Sequence, residues 1–149
     1  MGILLRILII VATFLFMEFV AWFTHKYIMH GFLWSWHKSH HTYHNDTFEK
    51  NDLFGFVFSI PAIITIVVGS EIESLWFLMY IGFGITAYGI FYVVFHDIIV
   101  HRRVKTSFKA KSSYLRRMMR AHYIHHKVHT KEGAEAFGFL YAPKKYEER

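Results

Sequence analysis

The chain of 149 residues is 54% hydrophobic and 19% aromatic, carries a formal charge of +6 and has no cysteine. Its length suggests one domain, and its composition is far too apolar for a disordered chain and unusual for a soluble one. The lack of cysteine excludes disulfides, thiolate zinc, iron–sulfur clusters and thiol nucleophiles; the positive charge alone allows nucleic acid, anionic lipid or an acidic protein as partner.

Residues 3–23, "ILLRILIIVATFLFMEFVAWF", form the first apolar run, broken only by Arg6 and Glu18. A spanning helix needs about 20 apolar residues, so this run qualifies. A signal peptide would carry more basic charge than Arg6 and a small-x-small cleavage site, so a retained anchor is the better reading. A histidine-rich stretch follows over residues 25–52. The second run, "LFGFVFSIPAIITIVVG" at 53–69, is at the short end for a span, and its Pro61 is tolerated in lipid. The third, "LWFLMYIGFGITAYGIFYVVF" at 75–95, has no charge. A second histidine-rich part extends over 96–140.

These elements predict an all-α, polytopic membrane protein: one integral-membrane domain over 1–149 with about three transmembrane helices, four being the alternative. The alternative, three core helices of a soluble bundle, lacks any stretch polar enough to cover them. Arg6 is the only Lys or Arg before Lys26, and the 70–74 loop, "SEIES", has none. The positive-inside rule then places 25–52 and 96–140 on the cytoplasmic face, with the second and third runs as a hairpin and the N-terminus outside.

The twelve histidines fall into four clusters. His37, His40 and His41 form H-x-x-H-H, which on a helix puts three imidazoles within a wedge about 100° wide; His44 continues that stripe. The pattern returns as His122, His125 and His126, continued by His129. Each copy is preceded by H-x4-H, His25 with His30 and His96 with His101. On a regular helix residues i and i+5 point about 140° apart. Either the helix widens into a π-bulge or ends between them, or each member serves a different ion. Interfacial polar tips, a storage tract or a bis-histidine haem do not explain four helix-phased clusters. Imidazole ligates iron, zinc, copper and nickel. Structural zinc takes four ligands, whereas this set is large enough for two ions and fits oxygen activation. The carboxylate-rich route to a di-iron centre is absent, since no Glu-x-x-His pair occurs. A metal transporter would carry ionisable ligands inside its spans, and here Glu18 is the exception.

The blocks "HKYIMHGFLWSWHKSHH", "FHDIIVHRR" and "HYIHHKVHTKEGAEAFGFL" closely resemble bacterial-type β-carotene 3-hydroxylases, within the fatty acid hydroxylase and sterol desaturase superfamily of membrane di-iron oxygenases. The eight-histidine pattern points to the superfamily; "MHGFLW", "EKND", "HDxxVHRR" and "EGAEAFGFL" narrow it to the carotenoid branch. The resemblance implies hydroxylation of carbon 3 of each β-ionone ring, giving zeaxanthin through cryptoxanthin. It implies two non-haem iron ions, O2 as oxidant, and His25, His30, His37, His40, His41, His96, His101, His122, His125 and His126 as ligands. His44 and His129 rank as supporting residues or weaker ligands. Ring N–H groups of ligand histidines need acceptors. Asp97, beside His96, is the acid expected in that role; Asp46, Glu49, Asp52, Glu132 and Glu135 read as solvated. No G-x-G-x-x-G is present for NAD(P)H, so electrons are expected from a ferredoxin-type partner. The eight Lys and Arg of residues 102–120 suit such docking, or anionic headgroups, and nucleic acid is not expected. Leu115, Met118 and Met119 share a face with His122, either as a substrate path or as packing against a span. A carotenoid ketolase or a small fatty acid or sterol hydroxylase are the enzymatic alternatives. In a bacterium the location would be the inner membrane.

Overall fold

Lipid offers no partners to backbone N–H and C=O groups, so long apolar runs satisfy them internally as helix. The computed structural model describes residues 2–42 and 48–147; His44 and Asp46 lie outside the described residues. Helix α1, Ile3–Phe23, continues without a break into a π segment, Thr24–Phe32. Gly31 leaves helical geometry there, with φ −103° and ψ −124°. A short α2, Trp34–His37, runs into a 3-10 turn, Lys38–His41. A second 3-10 turn, Lys50–Asp52, leads into α3, Leu53–Glu71. Helix α4, Phe77–Tyr92, ends in another π segment, Val93–Val100, and α5 covers Ser113–His126. Among the described residues there is no strand.

Among the described residues, three helices are long and apolar enough to cross a membrane: Ile3–Phe32, Lys50–Glu71 and Phe77–Val100. The protein is an all-α integral membrane protein. Its first and third spans run further than hydropathy predicts, because the helix persists where the side chains turn polar. His25, His30 and His96 therefore sit on the span ends themselves, not beyond them.

Helix α4 packs against both α1 and α3, and glycine permits the close approach. A Cβ on Gly84 would stand 2.8 Å from the Ile10 carbonyl oxygen, and one on Gly82 would stand 2.8 Å from that of Ala62. Helix α5 starts with the Ser112 hydroxyl accepting from the Leu115 N–H at 3.2 Å. Its Met118 and Ala121 join a core with Met17, Ala21, Tyr88, Phe95 and Phe139, and Leu115 and Met119 pack against the same core. The segment after α5 returns over the histidines, burying Phe137, Phe139, Ala142 and Tyr146.

Candidate metal centre

Among the described residues, ten histidines gather into two groups of five, the candidate ligand atoms of each group lying within 4.8 Å of one another. One group is His25, His30, His37, His41 and His125; the other is His40, His96, His101, His122 and His126. Each H-x4-H gives both members to one group. Each H-x-x-H-H instead divides: its i and i+4 members go to one group and its i+3 member crosses to the other. The three imidazoles that share one helix face thus serve two groups. The 100° wedge is wide enough to face two sites at once, and the two motifs exchange their middle residues, His40 and His125.

The π segments resolve the i, i+5 problem. The Leu33 N–H donates to the Ile28 carbonyl at 3.0 Å and the His101 N–H to the His96 carbonyl at 2.9 Å, both i→i+5 bonds. Widening the turn brings residues five apart to the same face.

In the first group every ring has committed its Nδ1–H. His25 donates to the Phe137 carbonyl at 3.0 Å, His30 to that of Lys131 at 3.0 Å, His41 to that of Val128 at 2.7 Å and His125 to that of Glu135 at 2.9 Å. His37 donates to the Asn51 side-chain oxygen at 2.6 Å. A neutral imidazole with its proton on Nδ1 has only a lone pair on Nε2. Yet Nε2 of His37 lies 3.1 Å from both His25 and His41, and Nε2 of His30 lies 3.2 Å from both His41 and His125. Lone pairs so placed repel unless a cation sits among them. Protonation does not supply it, because burial holds His37 down to about 3, His41 to about 4 and His125 to about 2. Ligands bonded to one ion at about 2.1 Å leave such spacings between neighbours. The donor set fits a metal.

In the second group His40 donates to Glu49 Oε1 at 2.8 Å and His96 to Asp97 Oδ1 at 2.7 Å. Nε2 of His40 and His96 are 2.9 Å apart, as are those of His101 and His122. Among the described residues, Nδ1 of His122 and Nε2 of His126 are buried without a hydrogen-bond partner. Burial and neighbouring histidines keep His40 and His122 neutral, and burial holds His101 down to about 4. The groups adjoin: the rings of His41 and His126 stack with centroids 4.6 Å apart.

Asp97 accepts a hydrogen bond from a candidate ligand ring. Glu49 does too, although its sequence position suggested a solvated acid; its side chain is 4% exposed. Arg103 clasps this corner, donating to both Asp52 oxygens at 2.8 and 3.0 Å and to Glu49 at 3.1 Å. His129 is exposed and belongs to neither group, because α5 ends at His126 and the stripe stops with it.

Two residues escaped the sequence reading. Asn51 orients His37. Glu18, the acid inside the first span, accepts the Tyr88 hydroxyl at 2.7 Å and the backbone N–H groups of Phe139 and Leu140 at 2.8 Å each. It thereby pins the loop whose Phe137 carbonyl orients His25.

A mostly apolar cavity of about 710 Å³ opens between α1, α3 and α4. Met17, Ala62, Ile85 and Gly89 line its apolar part; His25, His37 and His96, from both groups, line its polar part with Asn51 and Tyr92. The Tyr92 ring stacks on His96 at 4.4 Å. Leu115, Met118 and Met119 do not line it, so their stripe is packing.

A fatty acid hydroxylase family model matches residues 10–142. The chain is 46% identical over 136 residues to a β-carotene hydroxylase of Pantoea ananas, covering 91% of this chain and 77% of that protein. It is 45% identical over 141 residues to a β-carotene hydroxylase of Pseudescherichia vulneris, covering 95% and 79%. A chloroplastic β-carotene hydroxylase 2 of Capsicum annuum is 37% identical over 136 residues, covering 89% and 43%. No solved structure matches significantly.

Proposed function

Because this chain belongs to the fatty acid hydroxylase family and, within it, to the β-carotene hydroxylases of bacterial type, we propose that it hydroxylates carbon 3 of both β-ionone rings of β-carotene, giving zeaxanthin through cryptoxanthin. The observation that carries this reading is the meeting of a mostly apolar cavity with both histidine groups. His25, His30, His37, His41 and His125 would hold one iron and His40, His96, His101, His122 and His126 the other. Bound iron supplies the O2-activating redox chemistry that an unactivated C–H bond demands. Each cycle consumes O2, two electrons and two protons, and releases water beside the new hydroxyl.

The protein's own residues do the placing. Met17, Ala62 and Ile85 offer apolar walls to a polyene and keep water out. Tyr92 and Phe139 flank His96, with ring centroids 4.4 and 5.4 Å from it, and so shield the metal end. A ring entering that end meets His25 and His96 in the cavity wall. Backbone carbonyl, amide and carboxylate acceptors fix the five rings of the first group and those of His40 and His96 in the second before substrate arrives, so little reorganisation remains there.

The electron donor in this reading is an acidic ferredoxin docking on residues 102–120, where Arg116 and Arg120 are exposed. The positive-inside pattern supports a cytoplasmic position for that face and for the histidine groups. Expression in a β-carotene-accumulating host, followed by pigment chromatography, tests the function. Zeaxanthin with some cryptoxanthin is expected. Keto-carotenoids would establish a ketolase instead, and unchanged β-carotene would refute the enzymatic assignment.

A further inference from the structure

On the reading that each histidine group holds one iron, we infer that the two centres are electronically unlike, the group containing His40 and His96 stabilising the more oxidised ion. Each group has five imidazoles, so the difference comes from behind the rings. In the first group every Nδ1–H goes to a neutral oxygen: four backbone carbonyls and the Asn51 amide. In the second, His40 and His96 donate to the carboxylates of Glu49 and Asp97. A carboxylate draws the ring proton further than a carbonyl does and makes the imidazole a stronger donor to its metal. It also places a negative charge one ring away, and that charge favours the ion of higher charge.

The surroundings keep this bias. Arg103 brings one positive charge to the corner, but it faces three carboxylates: Glu49, Asp52 and, at 3.9 Å, Asp97. The Glu18 carboxylate accepts from the backbone of Phe139 and Leu140 and from the Tyr88 hydroxyl rather than from a ligand ring. The two H-x4-H/H-x-x-H-H copies thus yield matched ligand sets with unmatched backing. An electron arriving from a partner would settle first at the group with neutral backing, and the His40 and His96 group would be reduced last.

The test uses full-length protein loaded with 57Fe, with iron content measured first and the two Mössbauer signals followed through a reductive titration. Two irons per chain with signals reducing at separate potentials are expected. Combining Glu49→Gln with Asp97→Asn keeps the acceptor oxygens and removes the charge. It should raise the last-reduced iron alone, by at least tenfold in its reduced-to-oxidised ratio, about 59 mV for a one-electron couple. Asn51→Asp gives His37 a carboxylate and should lower the other iron alone, in the opposite direction. If the first variant sheds iron, Asn51→Asp decides by itself. Two irons whose signals stay put, or move together, in these variants would overturn the inference while leaving the two-iron reading intact. Fewer than two irons in the unaltered protein would overturn both.

Discussion

His40 and His125 show how far one side chain reaches here, since each leaves its own motif to complete the opposite group. His40→Ala or His125→Ala should abolish hydroxylated product and lower iron retention about 10- to 100-fold or more, whereas His129→Ala should leave both near normal; iron analysis and pigment chromatography on one preparation check this. Glu18 acts at a distance from any ligand. Glu18→Ala leaves the N–H groups of Phe139 and Leu140 and the Tyr88 hydroxyl without their acceptor, a loss of about 1.5–3 kcal/mol, and frees the Phe137 carbonyl that aims His25. A lower melting temperature together with weaker iron retention is expected in detergent. Gly138→Ala should mimic it, because the added Cβ would lie 2.6 Å from Glu18 Oε1. The histidines also set a pH dependence. Burial places His37, His41 and His101 at about 3, 4 and 4 in the folded chain, against an ordinary 6.5. The unfolded chain therefore binds protons first as pH falls. Stability of the metal-free protein should be full above about pH 6.5 and decline from there toward about pH 4. Thermal melts across that range measure it, and a melting temperature that stays flat down to pH 4 would contradict it.

At the level of elements, α4 separates packing from substrate space. Gly82 and Gly84 face neighbouring helices, while a Cβ on Gly89 meets nothing within 4 Å and Gly89 lines the cavity. Gly89→Leu should raise the Michaelis constant for carotenoid with iron content unchanged. Gly84→Leu should instead lower the melting temperature, since α1 would have to move away. The spans were legible in the sequence because hydropathy over about 20 residues is a sum, insensitive to any one side chain. The histidine motifs were legible as metal-binding for the same reason of repetition. What could not be read was how the motifs are shared. H-x4-H left a π-bulge, a helix end and separate ions all open, and only the i→i+5 bonds at Leu33 and His101 decide for the bulge. The division of His37 and His41 from His40 depends on where the facing helix places His125 and His126. The roles of Glu18, Glu49 and Asn51 were hidden because their partners lie far off in the chain or in a turn whose shape sequence does not specify: Glu18 meets Phe139 and Leu140, and Asn51 meets His37.

For the whole molecule, three spans, a basic surface and one histidine chamber form a sidedness argument. A cysteine placed in the 70–74 loop should label from outside intact cells, and one at Lys109 only after permeabilisation; labelling of both from one side would refute the hairpin orientation. Reversing Arg116 and Arg120 to Glu should raise the Michaelis constant for an acidic ferredoxin, less so at high salt where charges are screened within about 8 Å, with iron content unchanged. The proposed hydroxylation depends on a dinuclear iron centre made of imidazole alone. The direct measurement is the ratio of iron to protein chain in membrane-extracted enzyme that still converts β-carotene to zeaxanthin. The expected ratio is two, falling to about one or less in His125→Ala. An active preparation holding a single iron, or one whose bound metal is zinc, would contradict it.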